Sequence, residues 1–369
     1  MQCTKFVWVP ALFVASTVSA VDFQYGGFLT VGAGTIIDKK ESAYDYEGFN
    51  CPCFISDFNT AGLYERGDIG WKQDTRLGLQ GTVRFQPGLS LTAQGVARGS
   101  DSSVNLEWLY LSYDLTNEIT LQVGRKRIPL YYYSDFQDVG LAYIWARPTQ
   151  ALYGWEASNY NGASVRYATF SGHWEIQASA FAGNETVRKS GFARIYDEVN
   201  QDIRWRNILG ADLEVTRDWF TARVVYLQSD NSITDKPDSA DFSRPADKQR
   251  VFGLALNADF NDWLILSEFN TNTRKSRDEE LSIPAPAMSV GVGRRIGAWT
   301  PFINYARFWE KSKDADYENE RFIDLSATLR YDITSSSAFK FQINRFSDRS
   351  EFQFVGATTL LSANYNLVF

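Results

Sequence analysis

The chain has 369 residues, of which 22% are charged and 15% aromatic, and its formal net charge is −7. A mean hydropathy of −0.30 is too polar for a bundle of membrane helices, and the wealth of aromatic and β-branched residues excludes a disordered chain. A pI near 5.0 leaves no basic footprint for nucleic acid.

The first twenty residues stand apart. Lys5 is their only charge, "FVWVPALFVA" follows, and "STVSA" ends in small residues. This pattern predicts a signal peptide, residues 1–20, cut after Ala20. A spanning helix needs about 20 apolar residues, and this stretch is shorter and contains Pro10. Loss of Lys5 takes the net charge from −7 to −8. No later stretch could span as a helix, so an exported chain of this kind would enter a membrane only as a barrel. Cys3 leaves with the signal. Cys51 and Cys53, in "NCPCF", are either a local disulfide, which export favours, or two free thiols. Two thiolates without a nearby histidine make no closed metal shell.

From Asp22 onward the chain reads as stretches of about ten residues alternating between apolar and polar. The first is "DFQYGGFLTVGAG". Seven pairs of stretches follow, joined by the tight turns "FQPGLS", "LTNEI", "FSGHW", "TRDWF", "FNDW", "GAWT" and "ITSSSAF". Gly, Pro, Asn, Asp and Ser in these tips supply the geometry of tight turns. Longer polar segments lie between the hairpins, at 36–74, 99–104, 126–160, 183–203, 230–248, 274–286, 310–321 and 347–357. One last strand closes the chain.

Seven hairpins and two end strands give an all-β fold: a transmembrane antiparallel barrel of about sixteen strands over residues 21–369, with short turns on one side and long external loops on the other. Phe85, Phe170, Trp174, Trp219, Phe220, Phe260, Trp263, Trp299 and Phe339 cluster at the short turns, where a membrane-boundary girdle belongs. A soluble sandwich would explain the alternation but not the long/short asymmetry. In "TLLSANYNLVF" the apolar positions Leu361, Ala363, Tyr365, Leu367 and Phe369 alternate up to the last residue. A closed barrel has no free edge, so this strand is predicted to pair with the first.

Strand parity then sorts the wall. Leu77, Leu79 and Val83 take the lipid face, which turns Arg76, Gln80, Thr82 and Arg84 inward. The same rule turns Arg98, Arg166, Arg204, Arg206, Asp212, Glu214, Arg223 and Arg330 inward. Catalysis is not indicated. The single histidine, His173, sits on a short turn with no polar cluster around it, and no glycine pattern of a nucleotide site follows a strand. No cofactor is expected.

At this level the chain resembles the Gram-negative porin family. "ANYNLVF" is similar to the family's C-terminal signature, "TRLGLQGTVRFQPGLSLTAQGVARGS" to its second and third strands, and "LQVGRKRIPLY" to the stretch entering its third loop. The resemblance implies a water-filled barrel, passage of small hydrophilic solutes and ions, and a homotrimer in outer-membrane lipid and lipopolysaccharide. It also implies that the barrel-assembly machinery reads Tyr365, Leu367 and Phe369. The third long segment, 126–160, holds the place of a loop folded inward as a constriction. Asp135 and Asp138 would face the basic wall from it, with Arg125, Lys126, Arg127 and Arg147 at its ends. Its "YYYSDFQDVGLAYIWARP" is richer in aromatics than the family's loop, and Tyr131, Tyr132, Tyr133 and Trp145 are expected to pack it more than to line a track for sugars. A basic wall implies weak anion preference, or selectivity for small carboxylated or phosphorylated solutes. A substrate-specific channel, or a barrel binding a partner through its outer loops, is the alternative; the latter would have a blocked lumen.

Overall fold

The computed structural model describes residues 22–38, 49–101, 103–196, 201–235, 247–276, 281–353 and 355–369; the predicted signal peptide, residues 1–20, lies outside them. Among the described residues, sixteen long strands form one closed antiparallel barrel. They are Asp22–Ile36, Arg76–Gln86, Leu89–Arg98, Val104–Asp114, Ile119–Arg127, Asn159–Ser171, Trp174–Val187, Gln201–Arg217, Phe220–Asp235, Asp247–Phe260, Trp263–Lys275, Ser282–Arg294, Trp299–Trp309, Arg321–Thr334, Ser337–Asp348 and Ala357–Val368. All seven predicted hairpins are present. Gly88, Gly172, Asp218, Asn261, Asp262 and Gly297 take positive φ in their tips, which is why small and Asx residues punctuate the sequence there.

The first strand closes the barrel. Its first half pairs with Arg76–Gln86, and its second half with the last strand, from Phe28 opposite Val368 to Ile36 opposite Leu360. Phe369 exchanges two backbone bonds with Gly27, at 2.8 and 3.0 Å. A Cβ on Gly27 would lie 2.6 Å from the Phe369 ring, so only glycine lets the ring sit there. The terminal ring is thereby fixed while remaining 57% exposed.

The exposed face is the lipid face. Leu79, Leu111, Val123, Val165, Leu213, Val290, Ile303, Leu325 and Leu361 are all exposed, and Phe85, Phe170, Trp219, Trp263, Trp299 and Phe339 are exposed near the short turns. The buried core sits inside the barrel. Residues 128–158 fold into the lumen with two short 3-10 turns, Ser134–Phe136 and Gly140–Ala142. A second segment does the same from above. Phe54, Phe58 and Tyr64, around the small hairpin of Phe54–Asp57 and Gly62–Tyr64, pack with Ile195, Phe322, Phe346 and Leu360. Cys51 and Cys53 are bridged in this segment.

Two irregularities alter the simple parity. Opposite Gln94 and Gly95, Glu107 is an extra residue that interrupts the alternation. Between Arg206 and Leu209 the register shifts again, with Asn207 at φ 53°.

Candidate functional site: the inward loop and the open wall

The loop is tied at four places, three of them by residues of the wall and one by the inward segment that carries Tyr64 and Asp74. At the first, Asp138 enters a cluster of arginines. Arg76 donates to it at 3.2 Å and Arg98 at 2.6 Å, and Arg127 also pairs with it. Glu107, delivered inward by its bulge, takes Arg98 at 2.7 Å and Arg127 at 3.2 Å. Burial alone would raise the Asp138 carboxyl, but Arg98, Arg127 and Arg76 hold it well below the usual carboxylate range.

At the second, Lys340 donates to the carbonyls of Gly140, Tyr143 and Trp145 at 2.5, 2.5 and 2.7 Å. Arg330 donates to those of Leu141 and Tyr143. These two cations have turned to loop carbonyls and not to the pore. At the third, the Arg147 guanidinium pairs with buried Asp74, which also accepts the Tyr64 hydroxyl at 2.9 Å; the Phe54 and Tyr64 rings cover the guanidinium. Burial would raise Asp74, and Arg147 outweighs it and lowers it. At the fourth, Glu268 accepts the Tyr132 amide at 2.9 Å and the Tyr153 hydroxyl at 2.8 Å, while Arg223 donates to the carbonyls of Pro129 and Tyr131. The loop aromatics pack: Trp145 meets Tyr133 and Phe302 edge-on, each at 5.6 Å.

The tip of the loop faces a polar stretch of wall. Asp135 and Phe136 are exposed there. Asp135 acts electrostatically on Tyr110, Lys126, Tyr160 and Asp212. Around them Lys126 contacts Gln122 and Ser164, Arg166 donates to Gln177 at 2.5 Å, and Ser179 donates to Asp212. This wall runs over the strands from Val104–Asp114 to the lower half of Gln201–Arg217.

The expected basic wall is therefore dispersed. Arg76, Arg98, Arg127 and Arg147 are buried in loop anchors. Arg166 is on the polar wall. Arg84 lies at the short-turn rim, half exposed and paired with Asp22. Arg204 and Arg206 correct the parity reading: both are exposed outward, because Ile203, Trp205 and Ile208 take the inner positions and pack with the loop. The bulge at Asn207 is the cause. Arg125 stands opposite exposed Leu109 and gives its guanidinium to Glu185, so it is not free in the pore. Asp138 is corrected as well: at 4% exposure within its arginines it cannot oppose the wall beside Asp135. Asp74, Glu107, Glu268 and Lys340 went unrecognised in the sequence. Glu107, between Leu106 and Trp108, and Lys340, between Phe339 and Phe341, each leave a trace there as a charge set among apolar residues.

No family model and no curated protein matches this chain. Solved structures do. The outer membrane channel DcaP of Acinetobacter baumannii aligns with TM-score 0.62 at 12% identity, covering 95% of this chain and 97% of that one. The anion-selective porin from Comamonas acidovorans aligns at 0.60 and 14% identity, covering 95% and 100%. The trimer form of OmpT, an outer membrane protein of Vibrio cholerae, aligns at 0.60 and 12%, again covering 95% and 100%. With its sixteen strands, short and long ends and inward loop, the chain has the fold of the bacterial outer-membrane porins.

Proposed function

We propose that the chain is an outer-membrane channel for passive diffusion of small hydrophilic solutes and ions, passing between Asp135 at the loop tip and the polar wall from Tyr110 to Glu214. The observation that carries this is the anchoring of the loop body through Asp138, Arg147, Lys340 and Glu268, which leaves Asp135 and Phe136 exposed at the tip opposite that wall. Diffusion needs a polar passage and no reacting group; the chain is read as a channel and not an enzyme. Export by the signal peptide, a homotrimer, contact with lipopolysaccharide, and assembly guided by Tyr365, Leu367 and Phe369 complete the reading.

The weak anion preference implied by a basic wall loses its basis when Arg204 and Arg206 face outward. Lys126 and Arg166 are met by Asp135, Asp212 and Glu214, so we infer weak selectivity, tilted slightly to cations. Liposomes carrying the purified protein should swell in small sugars and progressively less in larger ones. Absence of swelling with folded, heat-modifiable protein would refute the channel.

A further inference from the structure

Above the inward loop, away from the polar wall, lies a cavity of about 330 Å³. The loop's returning limb, Gln150–Glu156, forms one side, Phe58 and Phe192 of the upper segments cover it, and the strands from Gln201 to Phe322 complete it. Its lining is aromatic and acidic at once. Trp155 and Trp205 meet at 5.2 Å, and Phe308 and Phe322 stack at 5.4 Å. Among the described residues, the charged groups facing it are Glu156, Asp247, Glu310, Glu320 and Arg274, and Arg274 is engaged with Tyr317, whose hydroxyl goes to Glu310. Glu156 has Ser190 for its hydrogen bond and, among the described residues, no cation among its electrostatic partners.

Buried carboxylates without cations are costly. Aromatic faces attract cations as well. Among the described residues, an anion would meet the carboxylates of Glu156, Glu310 and Glu320, and a plain hydrocarbon would bring them no counter-charge.

We propose that this cavity binds an organic cation: an ammonium group on an apolar or aromatic body. The ammonium lies among Glu156, Glu310 and Glu320, and the body lies against the tryptophans. The proposal deepens the channel reading and depends on it only for how the solute arrives; binding itself needs no conduction.

Burial raises Glu156 to about 7, offset in part by Ser190. Burial, reinforced by Glu310 and Asp348, raises Glu320 to about 8 against the pull of Arg274. Both groups lose their protons as pH rises, so cation affinity rises with them.

The test is calorimetric titration of the folded protein in detergent with three ligands of one shape. These are 2-amino-1-phenylethanol, the neutral 1-phenyl-1,2-ethanediol, and mandelate. The amine is expected to bind saturably, at least about tenfold tighter than the diol, the worth of one modest ion pair, with mandelate not binding. Affinity for the amine should rise about tenfold or more from pH 6 to pH 8. The double variant E156Q/E320Q should abolish both the preference and the pH dependence; if it does not fold, the wild-type ligand series and pH series decide alone. Equal or tighter binding of the diol, binding of mandelate, or a flat pH profile would overturn the proposal. Amine binding in a protein that fails to swell liposomes would leave this site standing and refute the channel.

Discussion

Asp138 is the side chain on which most of the loop's electrostatics converge. Removing its charge takes from Arg76, Arg98 and Arg127 the one carboxylate that all three share. Breaking a buried pair by removing one partner typically costs about 3–5 kcal/mol, so D138N should lower the temperature at which the barrel loses its folded mobility in detergent gels and add current noise as the loop loosens. The sign of the acid response follows from its depressed pKa. Its stabilising contribution is complete above the ordinary carboxylate range, near pH 4, and is lost only as pH falls through the lower folded value. Conductance should therefore be steady from pH 7 to pH 5, and loop-derived noise should appear only below about pH 4. Onset of noise near pH 6 would contradict the assignment. The half-exposed pair of Arg84 and Asp22 is of the kind that contributes about 0–1 kcal/mol, and R84Q should leave stability unchanged within error.

At the scale of the strand, the last residue of the chain acts through its neighbours. Deletion of Phe369 removes two backbone bonds to Gly27 and the ring that fills the glycine's open face, and it should sharply reduce the heat-modifiable barrel recovered from outer membranes. Normal recovery would contradict the terminal-strand account. Strands and tight turns were legible because alternation and turn residues are local properties, and the parity of Leu77, Leu79 and Arg76 read from the sequence is the parity in the barrel. Arg204 and Arg206 were read onto the wrong face because a register shift at Asn207 depends on how two strands are paired, and no residue type marks it. The partners of Asp74, Lys340 and Glu268 were illegible for another reason. Each of these residues acts on a segment that is distant in sequence (Asp74 on Arg147, Lys340 on the carbonyls of 140–145), and nothing in its own neighbourhood signals which.

Across the whole molecule, the anchors of the loop are spread around the lumen and the proposed passage is confined to one stretch of it. The strands carrying Lys340, Arg330, Glu268 and Arg223, together with Arg98, Glu107 and Arg127, hold the loop, and the polar stretch from Tyr110 to Glu214 opposite Asp135 is the part proposed for the solute. Charge near a narrow passage is less screened than in bulk. D135N should therefore move the reversal potential in a salt gradient towards anions, K126Q with R166Q should move it towards cations, and R204Q with R206Q should leave it unmoved. A shift from the last pair equal to that of the first would place those arginines in the pore.

The most direct measurement is thiol modification during planar-bilayer recording. Cys51 and Cys53 are bridged and the proposed cleavage after Ala20 removes Cys3, so the mature wild type serves as the unreactive control. Cysteine is placed at Asp135, at Ser179 on the facing wall, and at Arg206 on the outer face, and a charged, bulky thiol reagent is added to the bath. The account predicts stepwise loss of current for D135C and S179C and none for R206C. An unaffected D135C channel, or block through R206C, would contradict a passage between the loop tip and the polar wall.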